Sequence, residues 1–297
     1  MRVNPNFAPD ILDAVWNSQT QAQNAMEELS TGRRVNLPSD DPAAFAGDIQ
    51  NQAEQSQVDQ YLQNTTSLEG LFQTADSTLS SVVTALNQAI SLGTQGANGT
   101  MSLADQQALA QQVQAIQAQM VQLGNTSYQG SFIFAGTATT TKPFVADSTQ
   151  PSGVDYNGNE NTNSVQVADG RTMQINVPGS QIFLGSGGNV MQSLQQLVTA
   201  LNSGDTTAIG TATSAVSTAL SYVSQQRVFY GSAVQALTSN QTFLQQEQVN
   251  LQSQETSLVG ADMAQAATNL TQATTAHDAA LAALAKVIPN SLLDYLS

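Results

Sequence analysis

The chain has 297 residues, enough for one large or two modest domains, and a net charge of −15 from 22 acids against 7 bases. That balance argues against a nucleic-acid binder, whose affinity rests on a basic stripe, and the absence of cysteine rules out disulfides, thiolate–zinc sites and thiol catalysis. No apolar run is long enough for a membrane span, and Met1–Phe7 lacks the apolar core of a secretory signal peptide, which taken alone predicts a cytoplasmic protein. Only 10% of the residues are charged, with Gln, Asn, Ser and Thr in their place. Such a surface suits faces covered by neighbouring subunits, although a solvated acidic exterior accounts for it equally well.

In chain order, Ala8, Leu12, Val15, Gln19, Ala22, Met26 and Leu29 follow a 4-3 spacing with one polar break, predicting an amphipathic helix. Gly32, free to take a left-handed conformation, stops it. Asp41 and Pro42 open the next helix, the aspartate as cap and the proline in the first turn. Its stripe is Val58, Tyr61, Thr65, Leu68, Phe72, Ala75, Leu79, Val82, Leu86 and Ala89, longer than a globular core needs. Gly93, Gly96 and Gly99 are expected to form the following turn, before a third helix on Leu109, Val113, Ile116, Met120 and Leu123. Between about 136 and 186 the pattern changes to period two. Val165/Val167 and Met173/Ile175/Val177 alternate with polar residues, predicting a small β insertion with a hairpin turn at Asn157-Gly158. Ile209, Val216, Val223, Tyr230, Leu237, Leu244, Leu251 and Leu258 then recur every seven residues. That run can pack antiparallel on the earlier long helix. Gly260 and Asp262 break the phase. A last helix uses Met263, Ala267, Leu270, Thr274, His277, Leu281, Leu284 and Ile288, and Pro289 is expected to end it.

The expected fold is mostly α: an elongated antiparallel helical bundle or coiled coil with a small β insertion domain, its N- and C-terminal helices paired. Five segments follow: 1–40, an assembly helix pairing with the C-terminus; 41–135, the first half of the bundle; 136–186, the β domain; 187–259, the second half; and 260–297, the C-terminal assembly helix.

No residue pattern points to catalysis, a cofactor or a metal. His277 is the single histidine and sits on a predicted helix seam, with no second imidazole to complete a His-x-x-x-His pair. Asp40 and Asp41 stand at a helix entry, where capping accounts for them better than acid–base work. Asp155-Tyr156-Asn157-Gly158-Asn159 lacks the acids of a calcium loop. Gly185-Ser186-Gly187-Gly188-Asn189 precedes a helix but has no following Lys-Ser/Thr, so it reads as a linker out of the β insertion and not as a phosphate loop.

Four blocks carry more specific information: Leu29-Ser30-Thr31-Gly32-Arg33-Arg34; Ser39-Asp40-Asp41-Pro42-Ala43-Ala44; Gly130-Ser131-Phe132-Ile133-Phe134-Ala135-Gly136 with Lys142-Pro143-Phe144; and Ser291-Leu292-Leu293-Asp294-Tyr295-Leu296. Their order and spacing resemble the flagellin superfamily. The Phe-Ile-Phe-Ala-Gly…Lys-Pro-Phe segment, the Asp155–Asn159 run and the Leu-Leu-Asp-Tyr-Leu ending are more similar to its hook-associated junction subunits than to filament flagellins. The resemblance implies a structural protein that works by helical assembly and leaves the cell unfolded through the flagellar export channel. Implied partners are copies of itself in a helical ring, flagellin, the other hook-associated junction protein, and an export chaperone on the C-terminal helix; no nucleic acid and no membrane insertion are implied. Implied inter-subunit residues are Leu29, Arg33, Asp40, Asp41, Pro42, Leu270, Leu281, Leu284, Leu292, Leu293, Tyr295 and Leu296. A filament flagellin with a short outer domain, and a surface enzyme or glycan-binding module on a coiled-coil stalk, are the alternatives.

The terminal stripes are thin, several positions being only Ala or Thr. They bury too little apolar surface to offset the entropy of ordering both segments. The expectation is therefore that both termini are mobile in the monomer and fold when subunits stack.

Overall fold

The fold is that of a computed structural model, which describes the backbone of residues 7–295 and the side-chain surroundings of residues 9–286. Its elements run α1 (Phe7–Thr31), α2 (Pro42–Gly96), α3 (Leu103–Gly124), β1 (Ser127–Tyr128), β2 (Ser131–Phe132), β3 (Phe144–Ala146), β4 (Val154–Tyr156), β5 (Ser164–Ala168), β6 (Arg171–Gln174), α4 (Gly179–Phe183), α5 (Val190–Ser203), α6 (Thr206–Val259) and α7 (Met263–Tyr295). The chain divides into two compact units, residues 58–246 and residues 1–57 with 247–297, and α2 and α6 contribute to both. The fold is mostly helical, as the heptads predict.

In the unit of residues 58–246 every predicted α2 position, Val58 through Ala89, is buried. On α6 so are Ile209, Val216, Val223, Tyr230, Leu237 and Leu244. The two helices run antiparallel here: Thr213 lies against Gly93, Arg227 forks onto Asp76 at 2.7 and 3.1 Å, and Asn240 reaches Thr65 at 3.2 Å. Phe72 meets the rings of Phe229 and Tyr230 at 6.2 and 5.7 Å. A stripe repeating every seven residues keeps one face toward the partner along the whole contact, which is why the register holds. Arg227 is held more firmly protonated than usual, chiefly by its hydrogen bonds to Asp76.

One expectation fails at the end of this helix pair. Gly93 and Gly96 lie inside α2, not in the turn, and the turn falls at residues 97–102. They are glycine for close approach: a Cβ would strike the Thr213 hydroxyl at Gly93 and Leu201 at Gly96. The helix expected after the Gly185–Asn189 linker is α5, outside the heptad runs, and its Val190, Leu194, Leu197 and Leu201 are buried in the same core as α3.

The β region comprises three separate two-stranded antiparallel sheets, β1–β2, β3–β4 and β5–β6. Asn157-Gly158 is not a hairpin turn; the chain between β3 and β4 turns at 147–153, and Asn157-Gly158 follows β4. The β5–β6 hairpin is tied to the helices by Asn240 donating to the Val167 carbonyl (2.8 Å), Asn64 to the Gln166 carbonyl (3.0 Å), and Gln166 to the Tyr61 hydroxyl (3.0 Å).

In the other unit α1 packs against α7. The turning face differs from the predicted stripes. Ile11, Val15, Ser18, Ala22, Ala25 and Leu29 of α1 and Ala266, Leu270, Ala273, His277, Ala280 and Leu284 of α7 are buried or half-buried. Val15, Ala22, Leu29, Leu270, His277 and Leu284 belong to the predicted stripes, but the alternate positions shift by one residue. Small side chains on both helices permit a close contact, so Ala25 and Ala273 displace their larger neighbours Met26 and Thr274 from the seam. The backbone of α7 also continues through Pro289 to Tyr295. A proline removes one donor from the helical ladder and strains the preceding turn without obliging the helix to stop. The side chains of Ala8 and Ile288 lie outside the described residues.

Candidate functional site

The residues from Leu29 to Pro42 meet the start of α7 in a compact joint. Gly32, at φ +68°, ends α1 by donating its N–H to the Glu28 carbonyl at 2.9 Å. The chain then pairs briefly with the α6–α7 connection, in an antiparallel bridge between Arg33 and Gly260. Arg34 N–H donates to the Val259 carbonyl (2.7 Å) and Ala261 N–H to the Gly32 carbonyl (2.9 Å). Val35 is fully buried with Ala44 and Val259, and Phe45 and Leu258 close that small core.

The charged members of the motif are spent within this joint. The Arg33 guanidinium bridges Asp48 on α2 and Glu255 on α6, the latter at 3.2 Å. Asp48 also accepts from Gln52 (2.9 Å), and Glu255 from Gln55 (3.0 Å). Asp40 accepts the Asn36 and Leu37 N–H groups at 3.1 and 2.8 Å, which closes the loop before α2. Asp41 caps α2 by accepting from Ala44 N–H at 3.0 Å. The Ala44 hydrogen bond is the main reason its carboxyl titrates below the usual 3.8, with the Ala43 amide and Arg34 adding to it against a smaller desolvation effect. Pro42 is exposed at the first position of α2.

Among the other sequence-predicted site residues, Leu29, Leu270 and Leu284 are half-buried in the α1–α7 seam, whereas Leu281 faces outward, 43% exposed. Leu292, Leu293 and Tyr295 lie on α7 with side chains outside the described residues, and Leu296 lies outside them altogether. Sequence reasoning missed the outer face of α1, where Leu12, Trp16 and Met26 are 45, 66 and 60% exposed. Trp16 carried the available signal, standing one residue after a predicted seam position. Three large apolar side chains on one helix face exceed what scattered surface hydrophobes explain.

The motifs of the other unit also come together. Phe144 is buried between the rings of Tyr156 and Phe183, at 5.2 Å from each. Tyr156 donates its hydroxyl to the Phe134 carbonyl (2.9 Å), Asn159 N–H donates to the Ala135 carbonyl (3.1 Å), and Thr137 N–H donates to the Asn159 side-chain oxygen (2.8 Å). The Asp155–Asn159 run is thus a clasp on the Phe-Ile-Phe-Ala-Gly segment. Partial burial pushes the Tyr156 hydroxyl above its ordinary pKa. A groove of about 730 Å³ between α5 and α6 is lined by polar side chains such as Gln192, Gln195 and Thr199 together with Ala200, Ala208 and Ala212. Its one acid, Asp205, is used as the α6 cap, accepting from Thr207 N–H at 2.9 Å. The Gly185–Asn189 loop joins α4 to α5, and Asn189 caps α5 by accepting from Gln192 N–H at 2.9 Å.

Residues 8–139 match the bacterial flagellin N-terminal helical region and residues 213–296 the bacterial flagellin C-terminal helical region, together well over half of the chain. The chain is 36% identical over 173 residues to flagellar hook-associated protein 3 of Salmonella typhimurium, a match covering 58% of this chain and 53% of that protein. It is 34% identical over 170 residues to flagellar hook-associated protein 3 of Escherichia coli, covering 57% and 52%. The chain thus spans about half the length of the curated relatives it matches. The solved structure of Bacillus cereus FlgL shares the fold at a TM-score of 0.59 and 22% identity, over 71% of this chain and 99% of that one.

Proposed function

This chain belongs to the bacterial flagellin family, and on that premise we propose that it is a structural subunit of the flagellum that joins hook to filament. Support for the junction role comes from the two relatives named hook-associated protein 3. The structural observation that carries the reading is the α1–α7 pair, whose alanine seam leaves Leu12, Trp16 and Met26 on the outside. An apolar face of this kind on a thin two-helix pair calls for a covering neighbour.

In this reading copies repeat head to tail on a helical lattice, because a heterologous contact that does not close on itself propagates. The mechanism is templating. One face accepts the preceding hook-associated protein, and the opposite face receives the first flagellin; no chemical step is involved. Segments 1–40 and 260–297 carry the packing, with Leu29, Asp40, Asp41, Pro42, Leu270, Leu281, Leu284, Leu292, Leu293, Tyr295 and Leu296 the contact set; Arg33, expected in that set, is taken up by Asp48 and Glu255 of its own chain. An export chaperone covers the C-terminal helix before passage through the flagellar channel.

Purified protein, incubated with and without flagellin and viewed by electron microscopy, tests this. Monomers that cap or seed flagellin filaments are expected. Long filaments from this protein alone would make it a filament flagellin. Hydrogen exchange tests the terminal part of the reading: amides of residues 9–30 and 265–286 exchange fast in the dilute monomer and slowly after assembly. Uniform protection in the monomer would overturn that part.

A further inference from the structure

We infer that Arg33 is the positioning residue of the joint from which α1 and α7 leave, acting within its own chain through Asp48 and not at a contact between subunits. Asp48 is 2% exposed, and its Oδ2 accepts from both Arg33 and Gln52, while Oδ1 is buried with no donor against it among the described residues. A carboxylate buried with so few donors depends on the guanidinium for its charge balance. Arg33 is the sole residue of the α1–α2 loop that forms ion pairs with both long helices, meeting Asp48 on α2 and Glu255 on α6. A planar fork with several donors can serve two carboxylates at once; an ammonium serves them poorly.

Beyond Glu255 the hydrogen bonds continue. Gln55 donates to Asn51 at 2.8 Å, and Asn51 to the Leu251 carbonyl at 3.0 Å and the Gln254 side chain at 3.3 Å. The guanidinium thus joins the backbone bridge, in which Arg34 and Ala261 donate across the two connections, to a polar network between the long helices. The exit directions of α1 and α7 are set where these connections meet, so a loosened bridge misplaces both helices before any neighbour is met. The assembly consequence rests on the junction reading above; the coupling of Arg33 to Asp48 does not.

The experiment measures exchange of the Arg34 and Ala261 amides in the full-length monomer and, separately, seeding of flagellin, for the wild type, Arg33→Ala, Arg33→Lys, Asp48→Asn and the double variant Arg33→Ala/Asp48→Asn. Arg33→Ala is expected to speed both amides on the order of a hundredfold, as removal of one partner of a buried pair does, and to abolish seeding. Arg33→Lys is expected to fall between it and the wild type. The double variant is expected to regain roughly tenfold of the lost protection, because residues in one network couple. Amides unchanged in Arg33→Ala would overturn the inference, whatever happens to seeding, and would return Arg33 to the subunit contacts. Failure of Asp48→Asn to restore protection would overturn it as well. A wild type that does not seed flagellin refutes the junction reading alone, since the exchange result stands by itself.

Discussion

The core of residues 58–246 and the α1–α7 pair are both built on 4-3 spacing, yet they bury different things. The first packs Phe72, Leu79, Leu86, Val223, Tyr230 and Leu237 out of contact with solvent, supported by α3, α5 and the β hairpins. The second packs Ala25 against a face carrying Ala266 and Ala273, and leaves Leu12, Trp16 and Met26 outside. Heptad spacing therefore specifies that a helix has a partner, while side-chain size and the number of neighbours decide how much stability the partnership yields. One region is a finished core. The other is half of an interface.

The largest expected effect breaks the finished side of this contrast. Phe72→Ala removes a fully buried ring that meets Phe229 and Tyr230 edge-on. It should cost about 3–5 kcal/mol in denaturant unfolding of the monomer. Next, Ala273→Leu forces a large side chain into the alanine seam. It should destabilise the α1–α7 pair by about 1–3 kcal/mol, read as weaker protection of residues 265–286 after assembly with the Phe72 core unchanged. Trp16→Ala sharpens the contrast from the other side, because an exposed side chain that touches little should change monomer stability by no more than about 0.5 kcal/mol. The same variant should seed flagellin markedly less well in the electron-microscopy assay. A Trp16→Ala protein that seeds like the wild type would remove the outer face of α1 from the interface.

The smallest effect concerns pH. Asp41 titrates below its ordinary value of 3.8 because the Ala44 amide stabilises the ionised form. Its folded-state pKa is depressed, so the contribution is complete above the unfolded value and fades as pH falls through the folded one. The Ala44 amide resonance should shift over that acid range below 3.8. Asp41→Asn retains a capping oxygen and should abolish the shift.

Much of the fold was legible because its signals are local or periodic. The α2 stripe, the seven-residue repeat on α6, the stop at Gly32 and the cap at Asp41 each depend on one segment's own chemistry. Helix α5, expected after the glycine-rich linker, was legible too. Asn189 as cap, Val190, Leu194, Leu197 and Leu201 on one face, and Gly204 in a left-handed conformation past its end are ordinary helix signals. The hairpin expected at Asn157-Gly158 shows the opposite case. A dipeptide that favours a tight turn serves instead as a docking segment, because Tyr156 and Asn159 find hydrogen-bond partners in the Phe134–Ala135 backbone, far away in sequence.

The candidate site divides in the same way. Four sequence blocks identified the family and the joint, but Arg33, Asp40 and Asp41 turn out to be occupied within the chain, by Asp48 and Glu255, by loop amides and by the first turn of α2. A sequence displays a charge without displaying what neutralises it, since the partner of Arg33 on α6 lies 222 residues away.

By itself the sequence determined that the chain is mostly helical, that its long helices pair, where the first helix stops and the second begins, and which family it belongs to. These follow from the 3.5-residue period, from glycine and proline geometry, and from short motifs. Only the tertiary structure decided which of two adjacent faces on α1 and α7 forms the seam, and therefore which apolar residues are left for a neighbour. Apolar period alone cannot separate faces one residue apart. The choice falls to the closest approach of two backbones, which small side chains on both helices permit and which no single segment records.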